Sequence, residues 1–368
     1  MISTRSRAFG APSRYIQGPD ELDHLAEHAA PYGRRLFLIL DPALLEDPDL
    51  RLESRLAGLE LTQVRFNGEC TEAEVARLEA LARRQEADII AGLGGGKTLD
   101  TAKMVAAQLG TALFIIPSSA SNDAPTSAMS VLYTEEGAHL RCVLHRRAAD
   151  PVLADSKLIA RAPLRLFVAG LGDALSTWFE ARANTRSDTA NYIGSGYRRC
   201  QAALAIARRC YEVLLADGLK AKLALACGAV TEAVENIIEA NILLSGLGFE
   251  NAGCAAAHAL HTGLHEIPAA SRFYHGELVA FGVVFQLVLE NAPQAELTEV
   301  LDFLTQVGLP VSLGQLGVEP TQANLKAITR RVLDGQSGVE AEPFLVTEDL
   351  VIGALLAADA LGRRHLGV

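Results

Sequence analysis

Three histidines lie close together in the stretch AAAHALHTGLH, residues 255–265. His258, His261 and His265 are separated by three and four residues, so a helix would place all three imidazoles on one face. Imidazole binds transition metals and exchanges protons near neutral pH. The pattern therefore indicates a metal or proton-transfer site, with ordinary polar histidines as the alternative.

A catalytic zinc site commonly has three protein ligands and one open position, so partners from other segments are needed. His275 begins the apolar segment HGELVAFG. Asp173 follows two glycines in GLGDALSTWFEA, where the pattern indicates the beginning of a helix and the aspartate could equally be an N-cap. His265 lies near Pro268, toward the end of its predicted helix, and is the least suited of the three clustered histidines to a metal site.

A glycine-rich turn, GLGGGKTLDTAK at residues 92–103, joins a predicted strand to a predicted helix. Glycines let the backbone approach a ligand closely, and a helix N-terminus favours anionic oxygens. The spacing does not match a Walker A loop, because only three residues separate Gly92 from Gly96 and position 91 is alanine. It does not match GxGxxG, because position 97 is lysine. We still predict a pyrophosphate cradle here, with a tight strand–helix turn as the alternative.

Asp41 directly follows the predicted strand 34–40 and precedes the glycine turn in the sequence. An acid at that place can accept hydrogen bonds from ribose hydroxyls and repel a 2′-phosphate, which favours NAD over NADP. Aspartate at a strand end is also a common turn former, so the residue alone does not establish a nucleotide site.

The elements that carry these residues change character near residue 160. Patterns typical of strands lie at 34–40, 61–66, 88–96 and 112–121. Helical patterns lie between them at 70–87, with Thr71 as the predicted N-cap, and at 98–110. This alternation indicates a parallel sheet covered by helices. Residues 130–145 predict a β-hairpin.

Helical periodicity dominates the rest of the chain. We therefore predict an α/β NAD-binding domain over residues 1–160 and an all-α metal- and substrate-binding domain over residues 161–368. A cleft between the two domains is the expected place for the ligands.

Composition excludes several classes of protein. The 368 residues are 49% hydrophobic and 21% charged, with a net charge of −11 and no basic run, so we expect no nucleic-acid partner. The longest apolar run, 278–289, is too short to cross a bilayer and predicts a buried helix. The N-terminus lacks an apolar signal segment, and the six cysteines form no CxxC pair. We expect a cytoplasmic protein without a membrane partner.

Taken together, six segments in order resemble those of glycerol dehydrogenases of the metal-dependent ("iron-containing") alcohol dehydrogenase superfamily. They are GLGGGKTLDTAK, PSSASNDAPTSAMSVLYTEEG, GLGDALSTWFEA, AAAHALHTG, HGELVAFG and EPFLVTEDLVIGALLAADALG. The resemblance covers nearly the whole chain. It implies a dehydroquinate synthase-like architecture, with an α/β nucleotide-binding domain followed by a helical metal-binding domain.

The resemblance also implies the ligands of each site. A divalent metal, zinc ahead of iron(II) or manganese(II), is implied on Asp173, His258 and His275. The residues implied to surround NAD are Asp41, Gly94, Gly95, Gly96, Lys97, Ser118, Ser121, Ser127, Met129 and Tyr133. Asp123 is implied to contact the polyol, and His261 to face the nicotinamide, where it could carry a proton outward.

This chain departs from the family pattern at Thr177, where iron-using relatives carry a further histidine one turn after the metal-binding aspartate. Three protein ligands remain, which is the number expected for zinc with an open position. Asn122, Thr126 and Met129 are milder departures near the implied substrate and cofactor, and they bear on which polyol is bound.

The implied reaction is the NAD-dependent oxidation of glycerol, or a related vicinal diol, to dihydroxyacetone, with the metal as a Lewis acid. A hydroxycarboxylate (2-oxoacid) dehydrogenase of the same superfamily is an alternative, for which Arg272 would supply a cationic partner. A dehydroquinate synthase-like lyase would need a cluster of basic residues that the C-terminal motifs lack. A purely structural metal module would need no nucleotide cradle. Family members often form octamers, so we expect a homo-oligomer.

Overall fold

Strands and helices alternate from Gly10 to Pro163, and the regular elements assigned from Leu164 to Val368 are all helices. The computed structural model describes residues 6–368; residues 1–5 of the predicted first domain lie outside the described residues. The two stretches form separate units, and residues 6–9 belong to the second, helical unit. Arg7 forms a parallel bridge with Arg198, which accounts for this placement of the N-terminal segment.

A six-stranded parallel sheet, in the order β1-β8-β5-β4-β2-β3, forms the centre of the first unit. The strands of this unit are β1 (Tyr15–Gly18), β2 (Arg35–Leu40), β3 (Glu60–Arg65), β4 (Ile89–Gly94), β5 (Ala112–Pro117), β6 (Met129–Tyr133), β7 (His139–Leu144) and β8 (Val152–Asp155). The predicted hairpin is confirmed, because β6 and β7 pair antiparallel. The sequence did not reveal β1 and β8, which are four residues long each.

The helices of the first unit are α1 (Leu25–Ala29), α2 (Leu52–Arg55), α3 (Glu72–Arg84), α4 (Gly96–Leu109) and α5 (Ser156–Ala160). The side chain of Thr71 accepts a hydrogen bond from Glu74 N at 3.2 Å, so the predicted N-cap of α3 is confirmed. Helix α4 ends at Gly110, whose φ of 71° is the left-handed conformation typical of a glycine C-cap.

Strand order places a topological switch point between β2 and β4. The chain runs from β2 outward to β3 and then returns to the other side of β2 for β4. In open parallel sheets, ligands bind beyond the carboxyl ends of the strands at such a point. Asp41 follows β2, and the glycine turn ends β4, so both predicted nucleotide-binding features lie there.

The second unit consists of helices with one π-helical turn at Ala240–Leu244. These helices are α6 (Leu164–Ser187), α7 (Gln201–Ala226), α8 (Glu232–Glu239), α9 (Ser245–Ala252), α10 (Ala256–Leu264), α11 (His275–Leu289), α12 (Gln294–Val307), α13 (Gln322–Val332) and α14 (Glu348–Leu366). Helix α11 contains the predicted apolar run and is buried from Gly276 to Leu287. Within residues 6–368, none of the helices has both the length and the apolar character needed to cross a bilayer.

Candidate metal centre and nucleotide cradle

Helices α6 and α11 approach each other closely enough for their backbones to touch. A Cβ atom on Gly276 would overlap the carbonyl oxygen of Ala169, and one on Gly172 would overlap the carbonyl oxygen of Gly276. Asp173 and His275 are the sequence neighbours of these glycines, so the close crossing brings the two side chains together. Asp173 lies inside α6, which begins at Leu164, and the N-cap interpretation of this residue is therefore wrong.

Asp173, His258 and His275 converge within the helical unit. One ligand atom from each lies within 4.8 Å of the others. Asp173 Oδ1 is 3.1 Å from His275 Nε2 and 3.5 Å from His258 Nε2. Asp173 is 1% exposed, yet neither of its carboxylate oxygens has a hydrogen-bond partner among residues 6–368.

The charge state of Asp173 suits a metal ligand. Burial opposes its ionisation, but electrostatic attraction to His275 and His258, whose Nε2 atoms face the carboxylate, outweighs burial and holds the pKa of Asp173 well below its usual range. A buried carboxylate without hydrogen bonds is costly unless a cation compensates it. The unpartnered oxygens and the two facing imidazole nitrogens therefore fit a divalent metal.

Glu180 contacts this site and was missed by the sequence analysis. Its Oε1 accepts hydrogen bonds from Ala255 N at 2.8 Å and His258 N at 2.9 Å, and its Oε2 accepts one from His258 Nδ1 at 2.7 Å. Glu180 is completely buried. Glu180 follows Asp173 by seven residues within the same motif, so both carboxylates lie on one face of α6. This spacing could have identified Glu180 from the sequence.

A second group with suitable ligand atoms consists of Glu180, Cys254 and His258. It shares His258 with the first group, and Glu180 already accepts three hydrogen bonds. The oxygens of Asp173 accept none from the described residues. The group around Asp173 is therefore the better metal centre.

Thr177, at the position where iron-using relatives carry a histidine, packs against another helix. Its hydroxyl lies 2.9 Å from Ser245 Oγ, and its methyl group occupies the space that a Cβ on Gly248 would need. Both partners lie on α9. The position is therefore filled by helix packing, which agrees with three protein ligands.

His261 lies between two other imidazoles. Its Nε2 is 2.9 Å from His275 Nδ1 and 3.0 Å from His265 Nε2. His265 follows the end of α10 and is exposed. Although we expected His265 to be the least involved, it completes a row of three imidazoles from the candidate metal centre to the surface.

The glycine turn and Asp41 lie together in the first unit. Asp41 Oδ1 accepts a hydrogen bond from Ala43 N at 3.0 Å, and Oδ2 accepts one from Thr98 Oγ1 at 3.2 Å. A Cβ on Gly94 would lie 2.7 Å from Asp41 Cβ, whereas one on Gly95 would meet no atom within 4 Å. Gly95 is the N-cap of α4 and offers no side-chain cap to the first-turn N–H groups. Open space above an uncapped helix N-terminus fits a pyrophosphate.

Lys97 and Tyr133, both predicted cofactor residues, are in contact. The Lys97 ammonium lies 4.7 Å from the centroid of the Tyr133 ring and 2.6 Å from Glu69 Oε2. The lysine charge is thus balanced by a carboxylate that the sequence analysis did not identify.

The predicted cofactor serines after β5 fold back onto the glycine turn. Ser118 N donates to Gly94 O at 3.0 Å, and Ser121 Oγ accepts from Asn122 Nδ2 at 3.3 Å. The Asn122 amide in turn lies 3.1 Å from the position of a Cβ on Gly96. Asp123, the predicted polyol contact, follows directly and is half-buried.

Lys103 holds the next part of this segment in place and was also missed. It is 3% exposed and donates to Asp100 Oδ1 at 3.0 Å, Ala124 O at 2.6 Å and Met129 O at 2.8 Å. Ser127 and Met129, two predicted cofactor residues, are therefore tethered to α4, which begins at the glycine turn. Asp100 and Lys103 are three residues apart in the motif GLGGGKTLDTAK. This spacing of an acid and a base could have identified the pair from the sequence.

Comparisons with known proteins identify the family to which the chain is similar. Residues 12–156 match the family described as iron-containing alcohol dehydrogenase. The chain is 45% identical to a glycerol dehydrogenase of Pseudomonas putida, over 98% of this chain and 99% of that protein. It is 40% identical to a glycolaldehyde reductase of Halobacterium salinarum, over 97% and 98%. A crystal structure of a probable glycerol dehydrogenase from Sinorhizobium meliloti 1021 superposes with a TM-score of 0.92 at 45% identity, over 98% of this chain and 100% of that one.

Proposed function

Because this chain belongs to the iron-containing alcohol dehydrogenase family, we propose that it oxidises glycerol or a related vicinal diol, with NAD⁺ as the hydride acceptor. Membership makes it an oxidoreductase, and the resemblance to glycerol dehydrogenases supports the polyol. The expected products from glycerol are dihydroxyacetone, NADH and a proton.

One observation carries the proposal: the buried Asp173 carboxylate has no hydrogen-bond partner among residues 6–368 and faces Nε2 of two histidines. Asp173, His258 and His275 would hold a divalent metal, and three protein ligands with Thr177 packed elsewhere favour zinc. A metal held there supplies Lewis-acid chemistry, which lowers the pKa of a substrate hydroxyl. Asp173 contributes the negative charge, and the two imidazoles contribute neutral nitrogen ligands.

The first unit would bind the cofactor. The backbone of the glycine turn and the N-terminus of α4 suit the pyrophosphate, while Asp41 retains lone pairs for the ribose hydroxyls beyond the two hydrogen bonds it accepts. NAD⁺ accepts the hydride when bound. Asp123 would accept a hydrogen bond from a polyol hydroxyl.

The released proton would leave along His261 and His265. His261 would take up the proton at Nδ1 and pass one from Nε2 to His265 Nε2, 3.0 Å away, and the His265 ring reaches the surface. This proposal adds His265 to the proton-carrying role predicted for His261.

Arg272 is the residue on which the 2-oxoacid alternative depends. Its guanidinium lies over the ring of Phe273, 5.2 Å from the centroid, and 2.9 Å from the position of a Cβ on Gly317. The in-plane N–H groups of this exposed side chain stay available to a carboxylate, so a substrate panel decides between the two substrate classes.

A substrate panel tests the proposal. Zinc-loaded enzyme is assayed at 340 nm with NAD⁺ and glycerol, and with NADH and either glycolaldehyde or 2-oxobutanoate; enzyme stripped by a chelator is the control. We expect NADH formation from glycerol that the chelator abolishes. Reduction of 2-oxobutanoate without glycerol oxidation would instead identify a hydroxycarboxylate dehydrogenase, and turnover without net NADH release would identify a lyase.

A further inference from the structure

Helix α6 presents two carboxylates to a single imidazole. Asp173 Oδ1 lies 3.5 Å from His258 Nε2, and Glu180 Oε2 lies 2.7 Å from His258 Nδ1. The spacing of seven residues between the two acids is two helical turns, so His258 is held between them. One helix thus determines the surroundings of both ring nitrogens.

Glu180 also fixes the segment that carries His258. Its Oε1 accepts the N–H of Ala255, the N-cap of α10, and the N–H of His258 in the first turn. These bonds set the backbone, and the Oε2 bond sets the ring of the same residue. All three contacts are made by one completely buried side chain.

We propose that Glu180 is a positioning residue that selects the tautomer of His258 which binds the metal. A carboxylate has no proton to donate, so Nδ1 must carry the hydrogen of the neutral ring. The lone pair is then on Nε2, the nitrogen that faces Asp173. This inference rests on the proposed metal-dependent function and concerns a residue outside the ligand set.

The two backbone bonds make the exchange of Glu180 for glutamine informative. In Glu180→Gln, the amide oxygen must take the Oε1 position, because an NH₂ group there would face two N–H donors. The NH₂ group then points at His258 Nδ1 and donates to it. This reversal places the ring hydrogen on Nε2 and blocks the nitrogen that a metal needs.

Glu342 offers a matched control, because it contacts the same N-terminal end of α10. Its Oε1 accepts the N–H of Ala256 at 3.2 Å, and the residue is 4% exposed. Glu342→Gln therefore changes a second buried carboxylate at the N-terminus of α10 without altering the Glu180–His258 bond.

The test is zinc affinity, measured on chelator-stripped wild type, Glu180→Gln and Glu342→Gln by competition with a chromophoric chelator. We expect Glu180→Gln to bind Zn²⁺ at least about tenfold more weakly, the usual effect of losing a residue that orients a ligand, and Glu342→Gln to stay within about twofold of wild type. Equal affinity of Glu180→Gln and wild type, or equal losses in both variants, would overturn the inference.

Two further results separate the possible failures. If Glu180→Gln does not fold, ¹⁵N-histidine spectra of zinc-loaded wild type decide: we expect the His258 hydrogen on Nδ1, and a hydrogen on Nε2 overturns the inference. If wild type binds no Zn²⁺, the proposed metal centre itself fails. If wild type binds Zn²⁺ and Glu180→Gln binds it equally well, only the role of Glu180 fails.

Discussion

Asp173 and Glu180 are buried acids on the same helix, and their neighbours give them different roles. Glu180 accepts three N–H groups, whereas the oxygens of Asp173 accept none from the described residues. Residue types and the family resemblance were sufficient to select Asp173, His258 and His275. They were not sufficient for Glu180, because its importance depends on which backbone N–H groups the packing of α6 and α10 places beside it.

Asp41 should determine the choice between NAD and NADP. In Asp41→Asn the turn is kept, because the amide oxygen can still accept from Ala43 N, but the negative charge that repels a 2′-phosphate is lost. We expect the ratio of kcat/KM for NAD⁺ to that for NADP⁺ to fall about tenfold, or about 1.4 kcal/mol.

Asp47→Asn is the matched control, since Asp47 lies in the following segment and pairs with Arg161 at 2.6 Å. Its cofactor ratio should equal that of wild type. A ratio that stays unchanged in Asp41→Asn would remove Asp41 from the ribose site.

Glu342 should make the stability of the protein depend on pH. Burial, with the charge of Glu290 added, raises the pKa of Glu342 from 4.5 to about 8. The folded chain keeps this proton in the window between those values while the unfolded chain has lost it, so stability decreases as pH rises through the window. In Glu342→Gln we expect the loss of unfolding free energy between pH 5 and pH 8 to shrink by about 2 kcal/mol.

Urea unfolding of wild type and Glu342→Gln at a series of pH values measures this difference. The two curves should diverge above about pH 5 and run parallel above about pH 8. Parallel curves across the whole range would show that the carboxyl group titrates normally.

At the scale of elements, the crossing of α6 and α11 forms the site. The sequence patterns predicted strands β2, β3, β4 and β5, the hairpin and the buried α11, because each has a recognisable strand or helix pattern. It misplaced the start of α6, since Gly170 and Gly172 suggested a break before Asp173. In the structure Gly172 allows two helices to touch, which is a tertiary reason that periodicity cannot show. Strands β1 and β8 were missed because four residues give too short a pattern.

The close crossing of α6 and α11 predicts that one added methyl group strongly reduces stability and zinc binding. In Gly276→Ala the new Cβ would overlap Ala169 O, so the helices must separate and move His275 away from Asp173. We expect a loss of about 3 kcal/mol in unfolding free energy, together with weaker zinc binding. Urea unfolding of the stripped protein and chelator competition measure the two effects.

Gly353→Ala is the matched control for this substitution. Gly353 lies on the exposed side of α14, where a Cβ meets no atom within 4 Å. Alanine should stabilise that helix by up to about 1 kcal/mol and leave zinc affinity unchanged. If Gly276→Ala were as stable as wild type and bound zinc equally well, the described packing of α6 on α11 would be contradicted.

At the scale of the whole molecule, the proposed ligands divide between the two units. The candidate metal ligands lie in Leu164–Val368, and the candidate cofactor residues lie in Gly10–Pro163. Metal binding and cofactor binding should therefore be separable by substitution. The expected homo-oligomer, octameric in many relatives, stays a prediction.

The most direct test of the central claim is the zinc content of the purified protein, measured for wild type, His275→Ala and His365→Ala after loading and desalting. His365 is a distant control that lies 3.4 Å from Asp302. We predict about one zinc per chain in wild type and His365→Ala. In His275→Ala we predict a small fraction of that amount, with NADH binding by fluorescence retained. A full equivalent of zinc in His275→Ala would contradict the claim that Asp173, His258 and His275 share one metal ion.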